Sequence, residues 1–246
     1  MSSRLFPTTR WSLILNSTAD ARNQAPNALG ELCRAYWYPV YSFIRARGSS
    51  ADEAQDLTQE FFLHLISKGI VASADPNQGR FRSYLAGCLK HFIADQADRN
   101  RARKRGGGTI MLDLDVATAE QRYGQDLEYC ETPERIFERH WAMAVVTQTC
   151  DQLRDSLARE GRESLFACLR QFLPGSPEPS SYATAASELG MSEGAIKVAI
   201  HRLRRRFRDL LRANVTHTLA DPRDVDDEIR FLLTSLAPSP NSLSSP

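Results

Sequence analysis

Lys197, Val198, His201, Arg202 and Arg205 fall on one side of a stretch whose apolar residues, Ile196, Ile200, Leu203, Phe207 and Leu210, recur at intervals of four and three. That interval is the helical repeat, so the apolar residues form one stripe and the long donors another. Donors projecting from the first turns of a helix can reach base edges and phosphates in a DNA major groove. A second set lies upstream, where Tyr84 and His91 flank Gly87 and are followed by Arg99, Arg101, Arg103, Lys104 and Arg105. A ring and an imidazole beside a gap suit stacking on unpaired bases, and the arginine run suits phosphate contact. A third set, Asp56, Gln59 and Glu60, shares the polar side of another helical stretch. Asp56 and Glu60 are like charges four residues apart, a repulsion that a basic partner would relieve.

Helices must position these sets, because the helical period dominates and no strand alternation is present. The residues from Leu32 to Ile44 read as a helix dense in aromatics, with Tyr36, Trp37, Tyr38, Tyr41 and Phe43 assigned mostly to a core. Ser50 and Glu53 form a capping box for a helix that buries Ala54, Leu57, Phe61 and Leu65. A third helix runs from near Gly79 towards Arg105 on a stripe of Phe81, Leu85, Cys88, Leu89 and Phe92. Residues 106–131 show no sustained period and read as a flexible acidic linker. Thr132 and Pro133 restart a helix as N-cap and first helical residue. Further on, 182–189 reads as a short helix ended by Gly190, Ser192 caps the next, and Ala186 is small where the two must cross. The expected fold is all-α, with two helical domains at 25–105 and 132–215. A lead-in at 1–24, the linker at 106–131 and an acidic tail at 216–246 complete the chain, the tail having a short helix and a disordered end.

Composition narrows the function. With 42% hydrophobic residues the 246-residue chain can fill two cores, and no apolar run is long enough to cross a bilayer. Arg4, Arg10 and Trp11 interrupt the start where a secretory signal needs an unbroken apolar stretch, so a cytoplasmic protein is expected. The five cysteines are widely spaced without a C-x-x-C, and the histidines are scattered. Free thiols in a reducing compartment follow, with no metal, no cofactor and no catalytic set, so an enzyme is not expected. The net charge of +1 hides blocks: 79–108 is net +6 and 193–212 net +5, against net −5 for 111–140 and net −3 from Leu219 onward. Such alternation suits a polyanion binder whose acidic segments mask its basic ones, or equally a set of solvated helix faces, and charge alone does not choose between them.

Taken in order, Leu32 to Phe43, Asp52 to Phe62 and Phe81 to Leu85 resemble region 2 of bacterial sigma factors, and the paired helices at 182–206 resemble their region 4. Having these two regions alone resembles the extracytoplasmic-function group of the sigma-70 family. The resemblance implies core RNA polymerase and promoter DNA as partners and admits an anti-sigma factor as a further one. It implies that Asp56, Gln59 and Glu60 dock on the polymerase clamp. It assigns Tyr84, His91, Arg99, Arg101 and Arg103 to reading and melting the −10 element. Lys197, Val198, His201, Arg202 and Arg205 fall to the −35 element. Two departures stand out: His91 replaces a common Asn, and Ala199 a commonly basic residue. The competing reading is a free-standing helix-turn-helix regulator, which would bind a duplex site tightly without polymerase.

Overall fold

The computed structural model describes residues 25–68, 70, 80–102, 116–129, 132–174, 180–216, 218–219 and 221–237. Among them the chain forms nine α-helices and no strand, an all-α fold as expected. In chain order these are α1 (Ala25–Ala46), α2 (Ala51–Ser67), α3 (Phe81–Ala102), α4 (Val116–Tyr129), α5 (Pro133–Arg159), α6 (Glu163–Leu169), α7 (Tyr182–Leu189), α8 (Glu193–Thr216) and α9 (Val225–Leu236). The chain divides into two compact units. One runs to Ala142 and resumes at His217, and the other is Met143–Thr216. The helix α9, expected within a separate tail, therefore belongs with the amino-terminal unit.

In that unit α1 buries Tyr36, Tyr38, Tyr41 and Phe43, as the aromatic spacing predicts. The Ser50–Glu53 capping box starts α2, with both reciprocal hydrogen bonds formed. Its inward face carries Ala54, Thr58, Phe61, Phe62 and Leu65, whereas Leu57 is only half-buried. Thr58 tolerates the core because its hydroxyl donates to the Ala54 carbonyl at 2.6 Å. Phe81, Leu85, Leu89 and Phe92 are the buried stripe of α3, and Cys88 is half-buried. Edge-on packing of Phe81 against Tyr36, with centroids 5.5 Å apart, ties α3 to α1.

The described part of the expected flexible linker, 116–129, is instead the helix α4, and it is clasped to α1. Glu120 accepts two hydrogen bonds from Arg45, at 2.7 and 2.8 Å, and one from the Tyr41 hydroxyl at 2.6 Å. The Arg45 guanidinium also lies 4.8 Å from the Tyr123 ring centroid. Ala119 and Tyr123 are buried beneath this clasp. The segment reads as a linker in sequence because its polar composition and Gly124 blur the period, while its partners lie about eighty residues away.

The second unit packs α5 beyond Met143, α6, α7 and α8 around Leu153, Leu157, Phe166, Leu169, Ile200 and Phe207. Its buried amide, Asn214, donates to Thr149 Oγ1 and Gln152 Oε1, both at 3.0 Å.

The clasp has a pH signature. Hydrogen bonds from Arg45 hold the Glu120 carboxyl below its ordinary range, opposed by burial and reinforced by Tyr41. A depressed folded-state value means that the stabilisation is complete above about pH 4.3, the unfolded glutamate value, and is lost as pH falls through the lower folded one. Amide protection factors across 116–129 are expected to drop over that acidic window before those of α2. Glu120→Gln is expected to lower them at neutral pH and abolish the dependence, and a variant that retains it counts against the clasp.

Candidate nucleic-acid and polymerase interface

In the second unit the local sequence sets the crossing of α7 and α8. Ser181 caps α7 by accepting from the Thr184 amide at 3.1 Å, and Ser192 accepts from the Ala195 amide at 3.2 Å at the start of α8. Between them Gly190 takes φ +62°, ψ 33°, and its N–H reaches the Ala186 and Ser187 carbonyls. Ala185 and Ala186 are both buried, so the inward face of α7 carries small side chains. On α8 the inward residues are Ile196, Ala199, Ile200, Leu203, Phe207 and Leu211. The stripe ends on Leu211, with Leu210 half-buried, because a repeat of about 3.6 residues drifts from a strict four–three alternation. Burial of Ala199 accounts for the departure at that position: a basic side chain there would point into the packed side.

Lys197, Val198, His201, Arg202 and Arg205 are all exposed, as the stripe requires, with Val198 showing 52% of its surface. The structure sorts the basic residues of α8 into two kinds. Arg204 donates to the Phe172 carbonyl at 3.0 Å, and Arg206 pairs with Glu160 while also donating to Ser156. These two hold the unit together. Sequence reading also missed the aromatic support beside the outer face, where Lys197 Nζ sits 5.6 Å from the Tyr182 ring and that ring stacks on Phe172 at 5.5 Å.

In the amino-terminal unit α3 carries the second set. His91 is exposed. Tyr84 is half-buried, and its hydroxyl donates to the Ile70 carbonyl at 2.7 Å, so its phenol end is already engaged. A Cβ on Gly87 would meet nothing within 4 Å, which leaves the gap between Tyr84 and His91 open. Arg99 and Arg101 belong to the backbone of α3, but their side chains, and all of Arg103, lie outside the described residues. Sequence reading passed over Arg82 at the start of this helix. Its guanidinium is buried, with Nε donating to Glu228 Oε1 at 2.6 Å and the plane lying 3.7 Å from the Phe231 centroid. Nothing in the local pattern marks it, since its partners come from α9.

The acidic set on α2 is reduced by one. Asp56 and Glu60 are exposed, together with Asp52, but Gln59 is 6% exposed and faces the packed side. One residue's step of about 100° carries it away from Glu60. Glu60 accepts from the Gln96 amide of α3, a neutral partner that leaves the carboxylate charge uncompensated.

Residues 32–103, covering most of α1 and all of α2 and α3, match the family model for sigma-70 region 2. This stretch of the amino-terminal unit is similar to sigma-70 region 2. The match supports a sigma-70 family RNA polymerase sigma factor, with core RNA polymerase and promoter DNA as the partners that region 2 implies. No curated protein and no solved structure matches the chain. Among the described residues no helix is long and apolar enough to cross a membrane, and no group of His, Cys, Asp and Glu is arranged to hold a metal ion.

One substitution made at two glycines is expected to act in opposite directions. Gly190→Ala forces a side chain into the left-handed region and is expected to destabilise the second unit by about 1 kcal/mol. Gly87→Ala in α3 meets open space in a helix interior and is expected to stabilise by about 0.5–1 kcal/mol. Urea titrations of the two variants against the parent check both signs.

Proposed function

We propose that the chain is a sigma factor of the extracytoplasmic-function group, whose region 2 binds core polymerase and opens the −10 element. In this reading Met143–Thr216 is region 4 and reads the −35 element with α8. The observation that carries it is the region 2 match over 32–103, which covers the helices bearing the acidic face and His91. The exposed donors of α8 and the glycine turn ahead of it support the second half. Asp56 and Glu60 are the docking contacts, and Gln59 acts only through packing. An anti-sigma factor remains a partner that the assignment accommodates. Sequencing of transcripts started by reconstituted polymerase tests the whole reading, and failure to direct initiation at any promoter refutes it.

Two variants divide the assignment. Asp56→Lys combined with Glu60→Lys is expected to weaken core binding while leaving the thermal transition in place, since both side chains are exposed; unchanged affinity by fluorescence anisotropy removes the docking role. Arg202 is the best placed donor for a bidentate contact to guanine, so Arg202→Ala is expected to relax preference at one −35 position by about 1–3 kcal/mol. Arg208, farther along and exposed, is expected to lower activity alike on all promoters when replaced by Ala. A promoter-library selection in which Arg202→Ala returns the parental motif moves the reading to another residue.

A further inference from the structure

The start of α3 is electrostatically incomplete on its own. A helix N-terminus carries the positive end of the backbone dipole and favours a carboxylate nearby. The first turn of α3 has no acidic residue, and two arginines, Arg80 and Arg82, stand there instead. The missing carboxylate is Glu228 of α9, 146 residues away. It is 1% exposed and meets Arg80 Nε at 2.8 Å and Arg82 Nε at 2.6 Å, with Arg82 bonding its second oxygen at 3.2 Å. Glu138 of α5 adds a looser contact to Arg82 at 3.8 Å. The guanidinium is enclosed by rings, 3.7 Å from the Phe231 centroid and 5.2 Å from that of Trp141.

Backbone contacts extend the same attachment. The Phe81 amide donates to the Thr218 carbonyl at 3.5 Å just ahead of α9, and Arg139 donates to the Leu236 carbonyl at 3.0 Å at its end. Val225 and Leu232 are buried along its inner side. These contacts lie in the amino-terminal unit, yet α9 falls outside the 32–103 match. The acidic tail, expected to mask the basic segments, meets Arg80 and Arg82 through Glu228. Those two are engaged as part of the packed unit, so deleting the tail would leave Arg82 with only the looser contact to Glu138.

We propose that α9 is a positioning element for promoter opening, in which Glu228 and Phe231, acting through Arg82, fix the start of the helix that presents His91 to the melted strand. This rests on the sigma reading given above. Glu228 and Phe231 are positioning residues and do not touch DNA. The acidic docking face is on α2, which meets α3 near Phe92 and Gln96, whereas Glu228 braces the opposite end of α3 at Arg82. Loss of the brace should therefore affect opening more than binding to polymerase.

Glu228→Gln in the full chain tests this, since it keeps the size of the side chain and removes its charge. Core affinity is expected to stay near that of the parent, while permanganate reactivity of the −10 thymines falls by about tenfold, the scale of one lost charge-assisted hydrogen bond. In the free protein, amide exchange should speed up over 81–92 and stay slow over 51–67. Should Glu228→Gln fail to fold, Phe231→Leu keeps an apolar side chain, removes only the ring face beside Arg82, and carries the same expectation. Parental opening by the folded variant overturns the proposal. So does an equal loss of core binding and opening, which would make α9 a merely structural support. A parent protein that initiates no transcription overturns the sigma reading instead, and the positioning role with it.

Discussion

A guanidinium withdrawn from water must have a carboxylate and must satisfy its remaining hydrogens, or the unit around it does not hold. Arg82 finds its carboxylates and its enclosing rings among residues distant in the chain: Glu228 and Phe231 from α9, and Glu138 and Trp141 from α5. Much of the amino-terminal unit follows from this demand. It brings α9 onto α3 and recruits the beginning of α5, and it leaves the first turn of α3 dependent on a charge that its own sequence does not supply. Burial raises the Glu138 carboxyl even with Arg82 close by, whereas Glu228 takes the short, direct contacts.

The same arrangement recurs on the other side of the unit in milder form. Glu120 joins α4 to α1 through Arg45 and Tyr41 as Glu228 joins α9 to α3, but the former pair is partly open to water. Segments of opposite charge in the sequence thus correspond to specific pairs across long separations. The acidic segment 111–140 supplies Glu120 to Arg45, Glu134 to Lys90 and Glu138 to Arg82, and the tail supplies Glu228. The basic residues of α8 divide in a parallel way, with Arg204 and Arg206 tied inward and Arg202 and Arg205 left on the outer face.

What could be read from sequence was whatever a helix declares locally. The capping box at Ser50, the left-handed turn at Gly190, the Ser192 cap and the exposure of Lys197, His201 and Arg202 depend on neighbours within a few residues, and the structure has them as the spacing predicts. Errors of one position arose where the period drifts, as with Leu57 against Thr58 and Leu210 against Leu211. Gln59 was placed by residue type beside Glu60, although the helical turn carries it inward. The larger misreadings, α4 as linker and α9 as a separate tail, concern helices whose stability comes from partners far away. Tyr41, Arg45 and Arg82 carry no local mark of that service.

The pairing of Arg82 with Glu228 also sets an order of events during synthesis. As the chain leaves the ribosome, α1, α2 and α3 emerge long before α9, and domains generally begin to fold as they emerge. Here the amino-terminal unit cannot complete its packing at that stage, because the carboxylate that neutralises Arg80 and Arg82 has not yet been translated. The intervening unit, Met143–Thr216, is translated before α9. A closure spanning 146 residues is also entropically slow. Arg80 and Arg82 therefore gain the carboxylate they share only after residue 228 has been added.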